Sequence, residues 1–116
     1  MKTAIVGSRS IDHEFYAFVA EHVPDGASEI ISGGAAGADR LAERYAAEHN
    51  LKMTVIRPDY GAYDRRAPLI RNGQIVDAAD YVLVFWDGRS RGSLHVIMTC
   101  IRKNKPYRVF LIRKQA

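Results

Sequence analysis

The sequence predicts an α/β three-layer sandwich: a mostly parallel five-stranded sheet with helices on both faces. Three observations lead there. Short β-type apolar runs alternate with segments of helical periodicity along the chain, and strands that alternate with helices pair in parallel. The run Tyr81–Trp86 is nearly continuous in apolar residues, as in a strand covered on both faces. Finally, Ile30-Ile31-Ser32-Gly33-Gly34-Ala35-Ala36-Gly37-Ala38-Asp39 passes from an apolar run through three glycines into a helical pattern.

Bulk properties bound the class. The chain has 116 residues, enough for one domain with its own core. It shows no repeat, low-complexity tract or linker, so a single domain over residues 1–116 is expected. Hydrophobic content is 47% and charged content 26%, which argues against disorder. Seventeen basic and thirteen acidic side chains leave a net charge of +4. That balance tolerates an anionic ligand without requiring a nucleic acid. No apolar run approaches the roughly 20 residues of a membrane span. The start, Met1–Gly7, meets a glycine too early for a signal peptide. The lone Cys100 excludes an internal disulfide and a cysteine metal cluster. A cytoplasmic setting is therefore expected.

Each element has its own signal. Thr3–Val6 is a short strand ending at Gly7-Ser8-Arg9. A helix follows from about Ile11, capped by Ser10 or Asp12, with Phe15, Val19, His22 and Val23 facing the core. Pro24-Asp25-Gly26 marks a turn, and Glu29–Ser32 is the second strand. The next helix places Ala38, Leu41, Ala42, Tyr45, Ala46 and His49 on one stripe and closes near Asn50. Lys52–Ile56 is the third strand. Residues 57–68 lack periodicity and read as a long loop, of the kind that is often functional. Ala67 or Pro68 opens a helix carrying Leu69, Asn72, Ile75, Val76 and Ala79. Strand Tyr81–Trp86 runs into Asp87-Gly88-Arg89-Ser90-Arg91-Gly92-Ser93. The helix beyond presents Leu94, Ile97, Met98 and Ile101 on one face, with Val96 and Cys100 extending its apolar surface. Lys103-Asn104-Lys105-Pro106 stops it, Tyr107–Ile112 is the last strand, and residues 113–116 form a polar tail.

In such a sheet ligands sit beyond the carboxyl ends of the strands, so the strand-to-helix turns carry the candidate site. Gly33, Gly34 and Gly37 either let an anion approach bare backbone N–H groups or simply make a tight turn. Asp39 either accepts a bond from a ribose hydroxyl or serves its helix dipole. Arg9 can fork onto a phosphate or carboxylate or stay solvated, and Ser8 adds a hydroxyl or a cap. Arg71-Asn72 opens a helix and places a cation against its dipole, which an anionic partner or a local carboxylate would relieve. Ser90, Gly92 and Ser93 make a second anion-accepting helix start or a plain cap. Arg89 and Arg91 point to solvent or rim the pocket. Tyr60, Tyr63 and Trp86 can stack on a base or pack structurally. His22 and His49 read as core, and His13 and His95 lack partners at metal-ligand spacing. No nucleophile triad or carboxylate pair stands out, so neither a catalytic set nor a metal or cofactor site is predicted. The glycine turn matches neither the dinucleotide fingerprint nor the P-loop.

Gly7-Ser8-Arg9, Ser32–Asp39, Arg71-Asn72 and Trp86–Ser93, in this order, resemble the SLOG superfamily, above all its small YspA-like, YpsA-related branch. The resemblance spans essentially the whole chain. It implies a Rossmann-like fold whose turns bind nucleotide-derived ligands, such as ADP-ribose-like molecules or nucleoside phosphates. It also implies a sensor or binder near antiviral systems and mobile elements. The implied ligand contacts are Gly7, Ser8, Arg9, Ser32, Gly33, Gly34, Gly37, Ala38, Asp39, Arg71, Asn72, Asp87, Gly88, Ser90, Gly92 and Ser93. Two relatives frame the alternatives. LOG enzymes cleave nucleoside monophosphates with a PGGxGTxxE motif. Aligning Gly92-Ser93 with its Gly-Thr puts Val96 where the glutamate belongs, and Asp87-Gly88-Arg89 departs from Pro-Gly-Gly. DprA binds single-stranded DNA and has similar Gly-Ser-Arg and Ser-Gly-x-Ala-x-Gly-x-Asp turns, but carries domains this sequence does not include. The reading is a binder of a nucleotide-derived small molecule that acts without catalysis. A LOG-like hydrolase and a DprA-like DNA binder are the alternatives. The apolar surface of the helix at 93–103 adds the expectation of a homodimer.

Overall fold

The computed structural model describes residues 1–113, so only Arg113 of the expected polar tail falls within it. Strands β1 (Lys2–Gly7), β2 (Glu29–Ser32), β3 (Lys52–Val55), β4 (Tyr81–Trp86) and β5 (Tyr107–Leu111) form one sheet in the order β3-β2-β1-β4-β5. Every pairing is parallel. The chain begins at the sheet centre, winds out through β2 to β3, then crosses back to β4 and β5. That reversal leaves a crevice beyond the carboxyl ends of β1 and β4.

Two apolar layers sandwich the sheet. Helices α1 (Tyr16–Glu21) and α2 (Ala38–Glu48) cover one face, where Val19, Leu41, Ala42 and Tyr45 meet Ile5, Ile30 and Phe85. Helices α4 (Ala67–Ala78) and α5 (Arg91–Arg102) cover the other. There Ile75, Val76, Val96 and Cys100 meet Val6, Ile31 and Val84. β4 is buried from Val82 to Phe85, in line with its unbroken apolar run. α2 and α5 are followed by asparagines in the left-handed region, Asn50 (φ 53°) and Asn104 (φ 56°), which tolerate it better than most residues.

Several expectations are corrected. Residues 57–68 are not one irregular loop: they hold the short helix α3 (Tyr60–Tyr63), a 3-10 turn at Asp64–Arg66 and the start of α4. Asp59 caps α3 by accepting the Ala62 N–H at 3.1 Å. Three such brief elements are too short to show a period. α1 is preceded by a 3-10 turn, His13–Phe15, whose leading residue Asp12 makes no side-chain capping bond. Ser10 instead donates to Asp87 at 3.0 Å. His49 is exposed rather than core; its ring stacks on Tyr45 at 3.9 Å. His22 is half-buried between Phe18 and Phe110, 4.5 Å from each ring. In α5 the buried positions are Ser93, Val96, Thr99 and Cys100. Leu94, Met98 and Ile101 point outward, at 41%, 56% and 59% exposure.

Candidate functional site

The carboxyl ends of β1, β2 and β4 open into a cleft of about 530 Å³, walled on the far side by the first turns of α4 and α5. Arg9, Gly33, Asp39, Arg71, Asp87 and Ser93 converge on it from four separate connections. Its apolar patches come from Val6, Leu69, Ile75 and Val96.

The β2–α2 turn forms because its own helix reaches back into it. Asp39 lies in the first turn of α2 and is 5% exposed. Its Oδ2 accepts the N–H of Gly33 and of Ala35, both at 3.1 Å. Gly37 precedes the helix at φ 77°, and a Cβ there would run into the backbone of Ser8 and Arg9. Only glycine meets both demands. The same approach lets Ala38 N–H donate to the Ser8 carbonyl at 3.2 Å, which ties the turns after β1 and β2 together.

Arg71 closes this corner. It sits one turn into α4, not at the helix start, and is half-buried. Its Nη1 donates to the Gly33 carbonyl at 2.7 Å and its Nε to Asn72 Oδ1 at 3.0 Å. A Cβ on Gly33 would lie 2.6 Å from that guanidinium, so the glycine makes the contact possible. Burial pushes the Asp39 carboxyl up to about 6, against the pull of the Ala35 N–H, the Arg71 charge and the Gly33 N–H. Burial lowers Arg71, against the attraction of Asp39, and a guanidinium remains charged under such a shift. Asn72 is held in turn by His95, with Nδ2 and Nδ1 3.1 Å apart. Burial, with the charge of Arg102, lowers the His95 pKa and favours the neutral ring.

The β4–α5 turn is organised around Asp87 and three serines. Asp87 Oδ1 accepts the N–H groups of Arg89 and Ser90, both at 2.8 Å. Desolvation raises this carboxyl, but those N–H groups and the hydroxyls of Ser10 and Ser8 outweigh it and hold it at about 2. Ser90 caps α5 by accepting the Ser93 N–H at 3.3 Å. Ser8 accepts the Asp87 N–H at 3.0 Å, with its Oγ 3.4 Å from that of Ser93. The first turn of α5 borders the cleft at Gly92 and Ser93; Ser90 takes the Ser93 N–H, while the Gly92 N–H has no acceptor within the helix.

Of the residues singled out from the sequence, Gly7, Arg9, Gly33, Asp39, Arg71, Asn72, Asp87, Ser90, Gly92 and Ser93 line the cleft. The others do not face it. Ser8 and Ser32 are buried behind it, Ser32 accepting the Gly34 N–H at 3.4 Å. Gly34 lies against Val55 and Arg57. Gly37 and Ala38 pack against the β1 end. Gly88 faces a neighbouring cleft beside Leu111 and Arg113. Trp86 is structural, its Nε1 donating to the Ser90 carbonyl at 2.9 Å. Tyr60 and Tyr63 sit in a separate surface hollow with Arg65 and Arg66. Ala35 and Pro68, not singled out from the sequence as ligand contacts, also line the cleft, and His95 supports it; an Asn–His pair 23 residues apart leaves no local pattern. Among the described residues, no cluster of His, Cys, Asp and Glu side chains is arranged to hold a metal ion. No helix among them is long and apolar enough to cross a membrane.

Comparison with known proteins places this geometry in context. DNA processing protein A from Helicobacter pylori, whose structure was reported for its single-stranded DNA binding mode, matches over 97% of this chain at 22% identity, with a TM-score of 0.75. The chain spans 66% of the length of that protein, and at this identity the likeness establishes a common fold. No curated protein sequence matches significantly. Residues 9–63, just under half of the chain, hold Arg9, the whole β2–α2 turn and α2, and they match the YspA, cpYpsA-related SLOG family.

Proposed function

We propose that the chain binds a nucleotide-derived small ligand, a nucleoside phosphate or an ADP-ribose-like molecule, in this cleft and does not transform it. In this reading it is a cytoplasmic sensor or sequestering protein. Arg71 is the observation that carries the proposal. Its half-buried guanidinium is pinned by Gly33 and Asn72 on a cleft wall that also receives Arg9 and the start of α5. A fixed, desolvated cation beside helix N–H groups suits a phosphate. The cleft volume lies within the usual range for small-ligand sites. In this reading Asp87 accepts a sugar hydroxyl, while Asp39, buried and bonded to the Gly33 and Ala35 N–H groups, holds the turn. Val96, which aligns with the catalytic glutamate of LOG enzymes, lines the same cleft and offers no proton-transfer group, which favours holding over cleaving.

Native mass spectrometry of freshly purified protein tests the proposal by detecting a retained nucleotide. Calorimetry with AMP and ADP-ribose then measures affinity, and Arg9→Ala should weaken it about tenfold. Unchanged affinity would remove Arg9 from the site. Release of free base from AMP would overturn the non-catalytic reading in favour of hydrolysis.

The fold shared with a DNA-binding protein and the exposed Arg9, Arg57, Arg65, Arg66, Arg89 and Arg91 favour single-stranded DNA as the second reading. Steep salt dependence and affinity growing with oligonucleotide length would support it. The outward Leu94, Met98 and Ile101 support a homodimer through α5; a monomer in light scattering at micromolar concentration would reject it.

A further inference from the structure

Ser10 and Asp87 line two clefts, not one. On one side is the cleft just described. On the other is a cleft of about 470 Å³ bounded by Gly88, Arg89, Ile112 and Arg113. The hydrogen bond from Ser10 Oγ to Asp87 Oδ2, at 3.0 Å, is the partition between them. Gly88, at φ 83°, keeps the floor of the second cleft low: a Cβ there would meet Leu111 at 3.2 Å and the Arg113 guanidinium at 3.7 Å.

The charges across this partition follow an order. Arg9 and Arg71 lie on one side, the Asp87 carboxylate in the middle, and Arg89 and Arg113 on the other. A carboxylate repels phosphate and accepts hydroxyls, whereas guanidinium groups fork onto phosphate oxygens. The sequence of charges is therefore complementary to phosphate, sugar, phosphate. We infer that the second cleft is a subsite for a second phosphoryl group, and that the ligand carries two phosphates separated by one sugar, as in a nucleoside 3′,5′-bisphosphate. A pyrophosphate, whose two groups are adjacent, leaves no hydroxyl-bearing sugar for the carboxylate between them. The inference rests on the first cleft being the nucleotide site, and it narrows that site's ligand class.

Calorimetry with AMP, ADP and adenosine 3′,5′-bisphosphate tests it, on the wild-type chain and on the double variant Arg89→Ala, Arg113→Ala. Both arginines are exposed, and the Arg89 N–H that supports Asp87 is retained by alanine. The bisphosphate should bind at least about tenfold more tightly than AMP or ADP. The double variant should erase that gain and leave AMP binding unchanged. Equal affinity for the bisphosphate and AMP, or a gain that survives the double substitution, overturns the subsite while leaving the first cleft in place. A double variant that weakens AMP equally also overturns it, because the two arginines would then act on the first cleft. If neither these three compounds nor ADP-ribose binds, the first-cleft reading fails and the subsite falls with it; if ADP-ribose alone binds, the subsite is overturned and the first cleft stands.

Discussion

The turns after β2 and β4 each use one aspartate to hold two backbone N–H groups, yet the two carboxyls move in opposite directions. Asp39 reaches back from inside α2, is nearly sealed from water, and is pushed up to about 6. Asp87 stands ahead of α5, stays in contact with solvent, and is held at about 2. Asp39 receives two N–H groups at 3.1 Å, whereas Asp87 receives two at 2.8 Å and serine hydroxyls besides. Burial penalises the charged form at both; it prevails at the nearly sealed Asp39 and is outweighed by the larger donor set at Asp87. Asp39 is thus a structural group working under strain from its surroundings, and Asp87 is an available anion.

Removing the two carboxyls should separate these roles. Asp39→Ala orphans two N–H groups and leaves Arg71 without its counter-charge, and should cost about 3 kcal/mol in urea unfolding. A cost below about 1 kcal/mol would show that the turn does not depend on it. The conservative Asp39→Asn sharpens the point through pH. Between about 4 and about 6 the folded state keeps the Asp39 proton that the unfolded state has lost, so the wild type should lose stability relative to the variant as pH rises. Asp87 runs the other way. Between about 2 and about 4 its folded form is already ionised, so its contribution grows as pH rises. Unfolding curves across pH 2–7 for wild type, Asp39→Asn and Asp87→Asn separate the two slopes.

The glycines of the two turns extend the contrast. Gly37→Ala places a Cβ against backbone at positive φ and should cost about 2 kcal/mol in the same assay. Asp87→Ala, at a half-exposed turn, should cost about 1 kcal/mol. Gly92→Ala meets nothing nearer than Ser90 Oγ at 4.0 Å, and should stabilise α5 by about 0.5 kcal/mol. If Gly92→Ala destabilised the chain as much as Gly37→Ala, the two turns would be equally constrained.

What could be read from the sequence follows the same division. The alternation of strands and helices and the turns gathered on one edge were visible, because period and glycine punctuation are local signals; the order of strands in the sheet was not. Helix α5 shows the limit. Leu94, Met98 and Ile101 share a face, as do Val96 and Cys100, and periodicity alone does not say which face meets the sheet. Asp39 was legible as a residue in a first turn, but its bonds to Gly33 and Ala35 depend on the path of the chain between them. The contact of Arg71 with Gly33 spans 38 residues, and the Asn72–His95 pair joins two helices. Such pairings are set by packing across the sheet and leave no trace in spacing.

The parallel sheet also has a far edge. The helix-to-strand connections through Asn50 and Asn104 lie there, and among the described residues neither they nor their neighbours line the cleft. Asn104 is exposed, just after the last turn of α5. A reporter inserted at that point would sit at the opposite end of the sheet from the ligand turns. The fold therefore separates the part of the molecule that can be labelled or tethered from the part that must be left alone.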